Sequence, residues 1–451
     1  MRTAAKRRTP LSAQSAVALG FAGLILLIMF LLMLPVSSKS GCWSDPLTAL
    51  FTAASAVCVT GLVVVDTATY WSLFGQIVIL SAIQIGGLGV MTVIILAAMM
   101  LGRRVSLRQR TLLTQSISIL HAGGVVRLIR RAALISLLAE GAGAVLLSIR
   151  FVPMFGLKRG VFFGVFHAVS AFCNAGFDLM GERFSPYVSL EPFSGDPLVC
   201  LTMILLILSG GLGFFVWDDL LACRLRPRHM QLHTRIVLLI TPFVLFLPAL
   251  LFFFLESGAS MRDMNLSSRI LASLFAAVTP RTAGFNTVPT DALSPGGFLL
   301  TLVLMLIGGN PGSTAGGAKT TTILILILLA ASVTRDEGDI HLLGRRLADD
   351  LMRRACSIVI LYIAIALAAA LALCAMQPQL GLDPILFEVF SAINTVGMTT
   401  GVTRLLSSAS RIILILLMYA GRLGSLTFAV LIVRREKPSP LRCPVDHLLI
   451  G

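Results

Sequence analysis

Charged residues are scarce in this chain of 451 residues: Asp, Glu, Lys and Arg make up 13%, against about 25% in an ordinary soluble domain. Apolar residues make up 57%, and runs such as Val17–Leu34 and Leu198–Phe215 are long enough to cross a bilayer. A soluble chain of this composition would aggregate. The sequence therefore excludes soluble enzymes, coiled coils and disordered chains, and it predicts an all-α polytopic membrane protein surrounded by the lipid bilayer.

Paired cysteines and clustered histidines are also missing. None of the eight cysteines forms a CxxC pair and most lie in or beside apolar runs, which favours buried free thiols over disulfides or a metal site. Of the six histidines, only His229 and His233 have a ligand-like spacing, and they lie in a basic segment. A membrane enzyme would need a cluster of catalytic groups, so we predict that the chain is not an enzyme.

The net charge of +15 is unevenly distributed along the chain. Of the 36 lysines and arginines, 24 fall in five segments that alternate with the apolar runs, namely 2–8, 103–131, 224–235, 335–354 and 434–442. Ten others fall in the intervening segments 39, 150–183, 262–281 and 404–411. This alternation is the positive-inside pattern, so we predict that both termini are cytoplasmic and that the charge does not bind nucleic acid.

A fourfold internal repeat organises the chain. Four segments share one pattern: FTAASAVCVTGLV, FHAVSAFCNAGFD, LFAAVTPRTAGFN and FEVFSAINTVGMT, which align on Gly61, Gly176, Gly284 and Gly397. These glycines are 115, 108 and 113 residues apart, and a second glycine cluster follows each one, beginning at Gly86, Gly210, Gly308 and Gly421. The predicted repeats are residues 1–101, 102–223, 224–335 and 336–451.

Each repeat is predicted to contain a long apolar helix, a short apolar helix, a glycine turn and a second long helix. A helix of about a dozen residues is about 18 Å long, too short to cross a hydrocarbon core of about 30 Å. Such a helix has to be re-entrant, and the non-helical turn after it has to line a water-filled pathway. We therefore predict four parallel repeats around one pore with pseudo-fourfold symmetry, as in a potassium channel.

The four glycine turns have the composition of a carbonyl-lined selectivity filter. Glycine permits the positive φ that such turns need, and rings of backbone carbonyls can replace the water shell of a potassium ion. The predicted filter residues are Val59, Thr60, Gly61, Asn174, Ala175, Gly176, Thr282, Ala283, Gly284, Thr395, Val396 and Gly397. Neither the glycines nor the residues before them are acidic, which disfavours a divalent-cation site. We expect Asp66 and Asp178 to concentrate cations at the outer mouth.

The second helix of the third repeat is interrupted by a glycine-rich loop. The predicted loop consists of Gly308, Gly309, Asn310, Pro311, Gly312, Ser313, Thr314, Ala315, Gly316, Gly317, Ala318 and Lys319. Proline and glycine do not continue a helix here, and Ala318 stands where a phosphate-binding loop requires lysine. We predict a flexible loop beneath the filter, with a passive kink as the alternative.

A single arginine, Arg422, lies within the last apolar run, and a membrane-embedded charge is costly enough to indicate a function. It could repel cations from a closed pathway or hold the predicted loop through backbone carbonyls. The alternative is a structural pairing with Glu140, the only acid that we place inside the membrane.

Five segments resemble the Trk/Ktr/HKT superfamily of potassium transporters: VCVTGLVVVDTATYW, FHAVSAFCNAGFD, TPRTAGFNT, NTVGMTTG and GGNPGSTAGGAKTTT. The resemblance covers about residues 40 to 435, and the single span before the first filter is similar to the KtrB-type membrane subunit. It implies potassium uptake across the bacterial plasma membrane, with the loop as an intramembrane gate beside Arg422. It also implies a homodimer and a cytosolic ring of nucleotide-binding RCK subunits (KtrA-like). Plant relatives with serine in the first filter select sodium, whereas Gly61 matches the bacterial members.

Two questions of mechanism stay open at this point. The chain has no GxGxxG motif after a strand, so no cofactor is expected in it and a nucleotide (ATP/ADP or NAD) would act only through the partner. The potassium ion is expected as the substrate and not as a cofactor. The alternative function is a sodium- or proton-coupled symporter, although coupled carriers usually have inverted repeats and several midplane acids.

Overall fold

The computed structural model describes residues 13–90, 92–93, 96, 125–224, 226–336 and 339–424. The predicted basic segments 2–8 and 434–442 lie outside these ranges, as does most of 103–131. The predicted cytoplasmic position of the two termini is therefore still a prediction.

Helices account for nearly all regular structure in the described residues. In chain order they are α1 (Ala13–Met33), α2 (Pro46–Val57), α3 (Thr67–Tyr70), α4 (Leu73–Leu88), α5 (Val125–Phe155), α6 (Leu157–Phe172), α7 (Pro197–Leu212), α8 (Phe214–Ala222), α9 (Leu232–Glu256), α10 (Leu266–Val278), α11 (Pro295–Leu306), α12 (Thr320–Thr334), α13 (Asp349–Met376), α14 (Leu382–Ile393) and α15 (Ser408–Leu423). The strands β1 (His341–Leu342) and β2 (Arg345–Arg346) form a small antiparallel hairpin before α13.

Among the described residues, four helices are long and apolar enough to cross a membrane: α1, α5, α9 and α13, with α7 and α8 counting as a fifth span if they act together. Their outward sides carry large apolar residues that the protein does not cover; on α9 these include Leu239, Phe243, Phe246 and Phe254, each at least 61% exposed. Uncovered apolar side chains along long helices are suited to lipid. The structure therefore confirms a mainly helical, multi-pass membrane protein.

Each long helix precedes a shorter one, α2, α6, α10 or α14, of 12 to 16 residues. Two of these begin at side-chain caps: Asp45 accepts from the Thr48 N–H at 2.9 Å, and Asn265 accepts from the Ser268 N–H at 2.9 Å. The other two begin at a glycine with positive φ. Three of the short helices end four residues before the aligned glycine, and the third, α10, ends six residues before it.

The third repeat is not alone in having a broken apolar run, because the run after the second turn is also interrupted, which was not predicted. Helix α7 ends at Gly213 and the chain bends by 87° into α8, although the apolar run continues through this point. Helices α4 and α15 end at Gly89 and Gly424, also with positive φ. Glycine at these ends allows the left-handed turn that stops a helix.

The second glycine cluster packs each of these helices against a short helix. A Cβ added at Gly86 would lie 2.1 Å from the carbonyl oxygen of Val57, the last residue of α2. The same contact joins Gly210 to the last residue of α6 and Gly421 to the last residue of α14, at 1.8 and 1.9 Å. A side chain at any of these glycines would force the two helices apart.

Glu140 is not the only buried acid in the described residues. Glu256, at the end of α9, and Glu388, in α14, are both fully buried. Hydroxyl groups satisfy them: Ser260 and Ser294 each donate to Glu256 at 2.6 Å, and threonines donate to Glu388. The seven described cysteines are free, as predicted, and Cys443 lies outside the described residues.

Candidate functional site

The four glycine turns share one backbone conformation. The residue two before each glycine has positive φ although it is not glycine; these residues are Val59, Asn174, Thr282 and Thr395, with φ between 51° and 73°. The glycines themselves have φ between 70° and 99°. Four non-glycine residues in this region are uncommon and costly, and such strain persists only where the surroundings impose it. The repeat alignment therefore predicted four turns with the same unusual geometry.

The turns meet one another in a closed ring. A Cβ added at each glycine would collide with the carbonyl oxygen of the residue that precedes the glycine of the next turn. The four contacts are Gly61 with Ala175 at 2.5 Å, Gly176 with Ala283 at 3.0 Å, Gly284 with Val396 at 2.5 Å, and Gly397 with Thr60 at 2.0 Å. None of these four carbonyls accepts a hydrogen bond from another described residue. The contacts run in chain order and return to the first turn.

A hydroxyl group from each short helix or its end fixes the turn from behind. Two serines accept from the filter glycine: Ser55 from the Gly61 N–H at 3.0 Å, and Ser391 from the Gly397 N–H at 3.1 Å. The other two hydroxyls donate to the carbonyl after the glycine, Ser170 to Phe177 at 2.8 Å and Thr279 to Phe285 at 2.5 Å. Ser55, Ser170 and Ser391 lie six residues before the glycine and Thr279 lies five residues before it, so three repeats share one hydroxyl position, and the hydroxyls act in two opposite senses.

Several polar side chains of the turns are buried without a hydrogen-bond partner in the described structure. They are the hydroxyls of Thr60, Thr282 and Thr395, both amide atoms of the Asn174 side chain, and the amide oxygen of Asn394. Buried polar atoms are nearly always paired, so a cluster of exceptions requires an explanation. Oxygens held free in this way are suitable ligands for a dehydrated cation. They lie on residues that the sequence analysis assigned to the filter or next to it.

A cavity of about 160 Å³ opens onto all four glycines, and its wall includes Asp66, Asp178, Glu191 and Asp291. Burial raises the pKa of Glu191 to about 7, with the neighbouring Asp291 adding to the shift. Burial likewise raises the pKa of Asp178 to about 7. The Asp66 carboxylate is already engaged in hydrogen bonds within the protein, which was not predicted: it accepts from the N–H groups of Thr69 and Tyr187 at 2.8 and 3.0 Å.

The predicted gate loop lies directly against the inner side of the turns. A Cβ added at Gly316 would lie 1.9 Å from the Thr395 hydroxyl, and one at Gly317 would lie 3.4 Å from Asn394. On the opposite side, the Thr314 hydroxyl donates to the carbonyl of Phe172, the last residue of α6, at 3.1 Å. The loop therefore contacts the second and the fourth turn regions at once.

Hydrogen bonds within the loop and to α7 hold its ends. The N–H and the side-chain amide of Asn310 both donate to the Gly211 carbonyl at 3.1 Å, and the Gly308 N–H donates to the Ala318 carbonyl at 2.8 Å. The Lys319 ammonium donates to the Ala315 carbonyl at 2.7 Å, so it closes the loop on itself. The loop is held by backbone groups, by small side chains and by the cations of Lys319 and Arg422, and no carboxylate of the described residues bonds to it.

Arg422 joins the loop to the first repeat. Its guanidinium donates to the carbonyls of Thr314 and Gly86, and also to that of Gly87 at 3.2 Å. It does not pair with Glu140, which instead accepts from the Gln84 amide at 3.0 Å. Of the two roles considered for this arginine, the contacts match the one in which it holds the loop through carbonyls.

A second buried arginine, Arg281, was counted with the intervening segment 262–281 by the sequence analysis and given no part in the site. It is 6% exposed and lies in the third turn, three residues before its glycine. It shares a cavity of about 10 Å³ with Gly309 and Asn310 of the loop, and its Nε has no partner in the described structure. Arg281 could have been assigned to the third turn from the sequence, because it stands three residues before an aligned glycine.

Comparisons with known proteins identify the family of the chain. A family profile described as TrkH, a cation transport protein, matches residues 14–440. The Ktr system potassium uptake protein B of Bacillus subtilis is 38% identical over 438 residues, 96% of each chain. The potassium/sodium uptake protein NtpJ of Enterococcus hirae is 36% identical over 450 residues, 98% of each chain.

The fold is also that of a solved transporter. The crystal structure of the potassium transporter TrkH from Vibrio parahaemolyticus matches with a TM-score of 0.74 at 19% identity, over 96% of this chain and 87% of that one. The profile and the relatives each cover nearly the whole chain, and all of them are transporters. The resemblance seen in the sequence is therefore confirmed, and the chain belongs to the TrkH family of cation transport proteins rather than to a family of enzymes.

Proposed function

We propose that the chain is the pore-forming subunit of a potassium uptake system, with four parallel repeats around one pathway. The observation that carries the proposal is the closed ring of glycine turns, in which each turn presents a free carbonyl next to the glycine of its neighbour. Rings of carbonyls are the ligands that replace the hydration shell of potassium. The relatives from Bacillus subtilis and Vibrio alginolyticus are named as potassium uptake proteins.

The charge distribution suits a monovalent cation better than a divalent one. The turns themselves carry no carboxylate, and the acids Asp178, Glu191 and Asp291 lie further out, on the wall of the outer cavity. The short helices also end at the turns, so their negative dipole ends face the pathway. A cation is attracted at the mouth and then bound by neutral oxygens, which release it again easily.

The loop from Gly308 to Lys319 is the proposed gate. It packs against the inner side of the turns at Thr395, and its bonds to α7 and Arg422 use carbonyls that can be exchanged for water. A loop of small residues that is held mainly through its backbone carbonyls can leave the pathway at modest cost. Arg422 then stabilises the closed position by joining this loop to Gly86 and Gly87.

The proposed setting follows the family resemblance. The Ktr system names of the relatives indicate a membrane protein that works within a system of several components. We propose that this chain forms a homodimer in the plasma membrane, with cytoplasmic termini. A cytosolic RCK-type ring would bind ATP, ADP or NAD and act on the gate from below.

A coupled symporter is the second candidate. One relative is named as a potassium/sodium uptake protein, and Glu140 is a buried acid within α5 that only an amide satisfies in the described structure. Coupling would require sodium or a proton to move with potassium. A carbonyl filter alone would pass potassium down its gradient.

Uptake of rubidium-86 into proteoliposomes that contain the purified chain separates these cases. Competition by potassium, with sodium and lithium ineffective, is the result expected for the proposed filter. Equal competition by sodium would contradict it. A sodium or proton gradient that drives rubidium against its own gradient would select the symporter.

A further inference from the structure

The position nine residues before each filter glycine differs in every repeat. The residues are Thr52, His167, Phe275 and Glu388, and all four are buried in the short helices behind the turns. Thr52 donates to the Thr48 carbonyl at 2.9 Å, a contact within its own helix. Phe275 has no polar group to offer. The second and fourth repeats, in contrast, have side chains here that can accept hydrogen bonds from the chain beyond the filter.

Glu388 holds the segment that follows the fourth turn. The hydroxyl of Thr403 donates to one carboxylate oxygen at 2.6 Å, and the hydroxyl of Thr399 donates to the other. Thr399 in turn accepts from the Gly401 N–H at 2.9 Å. All three of these partners line the outer cavity, so the carboxylate, which is fully buried, sets the shape of the fourth side of the mouth.

His167 holds the segment that follows the second turn. Its Nδ1 lies 2.8 Å from the Phe163 carbonyl, and its Nε2 lies 3.3 Å from the N–H of Leu179, three residues past the filter glycine. One tautomer satisfies both contacts: the Nδ1 hydrogen donates to the carbonyl and the Nε2 lone pair accepts from Leu179. The imidazole is fully buried. The Leu179 N–H thus has a fixed acceptor behind the filter.

These two acceptors lie on opposite sides of the ring. The turns follow one another in chain order, so the second and fourth turns are not neighbours. The same two turns are the ones that the gate loop contacts from below, through Phe172 and Thr395. The outer and the inner contacts therefore act on the same two opposite turns, the second and the fourth, which form one diagonal of the ring.

We propose that Glu388 and His167 are positioning residues of the filter, which fix the outer ends of the fourth and second turns and thereby set discrimination between potassium and sodium. The inference rests on the proposed filter. A carbonyl ring discriminates by size and by the field of its oxygens, so a turn that relaxes by a few tenths of an ångström accepts a smaller ion more readily. Neither residue contacts the ion.

Two substitutions remove the contacts while keeping the shape of the side chain. Glu388→Gln replaces one accepting oxygen with a donor, so one of the two threonine hydroxyls loses its acceptor. His167→Phe removes both ring nitrogens, and the native Phe275 shows that phenylalanine fits this position of a repeat. Thr52→Val is the matched control, because it removes only a bond within α2.

The measurement is competition for rubidium-86 uptake in proteoliposomes, expressed as the ratio of the half-inhibiting concentrations of sodium and potassium. This ratio, unlike the uptake rate, does not change when a variant merely lowers the amount of folded protein. We expect it to fall about tenfold in Glu388→Gln, about threefold in His167→Phe, and not at all in Thr52→Val.

The outcomes distinguish this inference from the proposed function. A wild-type chain that selects potassium, together with unchanged ratios in both variants, would overturn the positioning role and leave the filter intact. A wild-type chain without selectivity would overturn the filter and this inference with it. If Glu388→Gln does not fold, His167→Phe decides the question alone, because a ratio equal to that of the wild type refutes the proposed diagonal.

Discussion

The outer and inner ends of the proposed pathway differ in how closely the repeats resemble one another. At the ring of turns, all four repeats have the same sign of φ at two positions, the same contact to the next turn, and a hydroxyl behind the glycine. At the inner end, two of the repeats depart from the pattern. The third carries the loop from Gly308 to Lys319, and the fourth carries Arg422 where the others have Gly87, Gly211 and Gly309.

This difference separates the two proposed tasks of the molecule, ion selection and gating. A ring of carbonyls needs four equivalent oxygens at one depth, so near-identical turns suit ion selection. A gate needs to block one pathway and release it, for which one loop and one side chain that holds it are sufficient. The break at Gly213 lies against the loop of the third repeat: a Cβ added there would lie 2.6 Å from the Pro311 carbonyl oxygen, and the Phe214 N–H donates to the Gly312 carbonyl at 2.9 Å.

The largest effect is expected from adding a side chain to the ring. Serine at Gly397 would place its Cβ 2.0 Å from the Thr60 carbonyl oxygen, whereas serine at Gly176 meets its nearest atom at 3.0 Å. Both substitutions also impose positive φ on a residue that disfavours it. We expect Gly397→Ser to lower the sodium-to-potassium ratio of half-inhibiting concentrations by more than about tenfold, and Gly176→Ser to have the mildest effect of the four glycines.

Gly23→Ser is the control for the glycine series. Gly23 lies in α1, has no described atom within 4 Å of an added Cβ, and does not have positive φ. Its variant should keep the wild-type ratio. Four filter variants that all discriminate like the wild type would remove the ring from the mechanism, whatever their uptake rates.

A large change in flux, without a change in selectivity, is expected at the inner end. Arg422→Gln removes the guanidinium that joins Thr314 to Gly86, which costs the closed loop about 2 kcal/mol, or more than tenfold in its population. Rubidium uptake in the absence of any cytosolic partner should rise accordingly, and deleting Gly312–Gly317 should raise it further.

Arg353→Gln provides the matched loss of charge, because Arg353 is exposed on α13. Its uptake should equal that of the wild type. Unaltered flux in both Arg422→Gln and the deletion of Gly312–Gly317 would contradict the proposed role of the loop as a gate. Increased flux with lost selectivity would instead show that the loop supports the filter.

Sequence reasoning located the ring but not the contacts around it. The turns could be predicted because four aligned glycines repeat a local pattern, and the short helices follow from the length of their apolar runs. The bend at Gly213 could not be predicted, because a positive φ does not change the hydropathy of the run Leu198–Phe215.

Glu388 was missed for another reason: its partners Thr399 and Thr403 follow the turn, and only the fold brings them back behind it. The contact of Arg422 with Thr314 is likewise long-range.

A smaller effect should follow from the hydroxyls behind the turns. Ser391→Ala leaves the buried Gly397 N–H without an acceptor, whereas Ser170→Ala leaves only the Phe177 carbonyl without a donor. An unpaired buried N–H is less well tolerated than an under-satisfied carbonyl. We therefore expect about a fivefold loss of sodium-to-potassium discrimination in the first variant and about twofold in the second. Equal losses in the two variants would show that the serine hydroxyls serve only to pack the helices.

The smallest effect is expected at the outer cavity, where charge rather than geometry acts. Burial and Asp291 raise the pKa of Glu191 to about 7, so this carboxyl is mostly ionised at pH 8 and mostly protonated at pH 6. The pKa of Asp178, also about 7, adds to the change. Acidifying the outer solution from pH 8 to pH 6 therefore removes negative charge from the mouth, and the half-saturating concentration of rubidium should rise about threefold.

Glu191→Gln should reduce this dependence on pH, while Asp263→Asn, which removes an exposed acid that does not line the cavity, should retain it. Equal pH profiles in the wild type and Glu191→Gln would show that this part of the mouth does not attract the ion, and that the ring alone determines affinity.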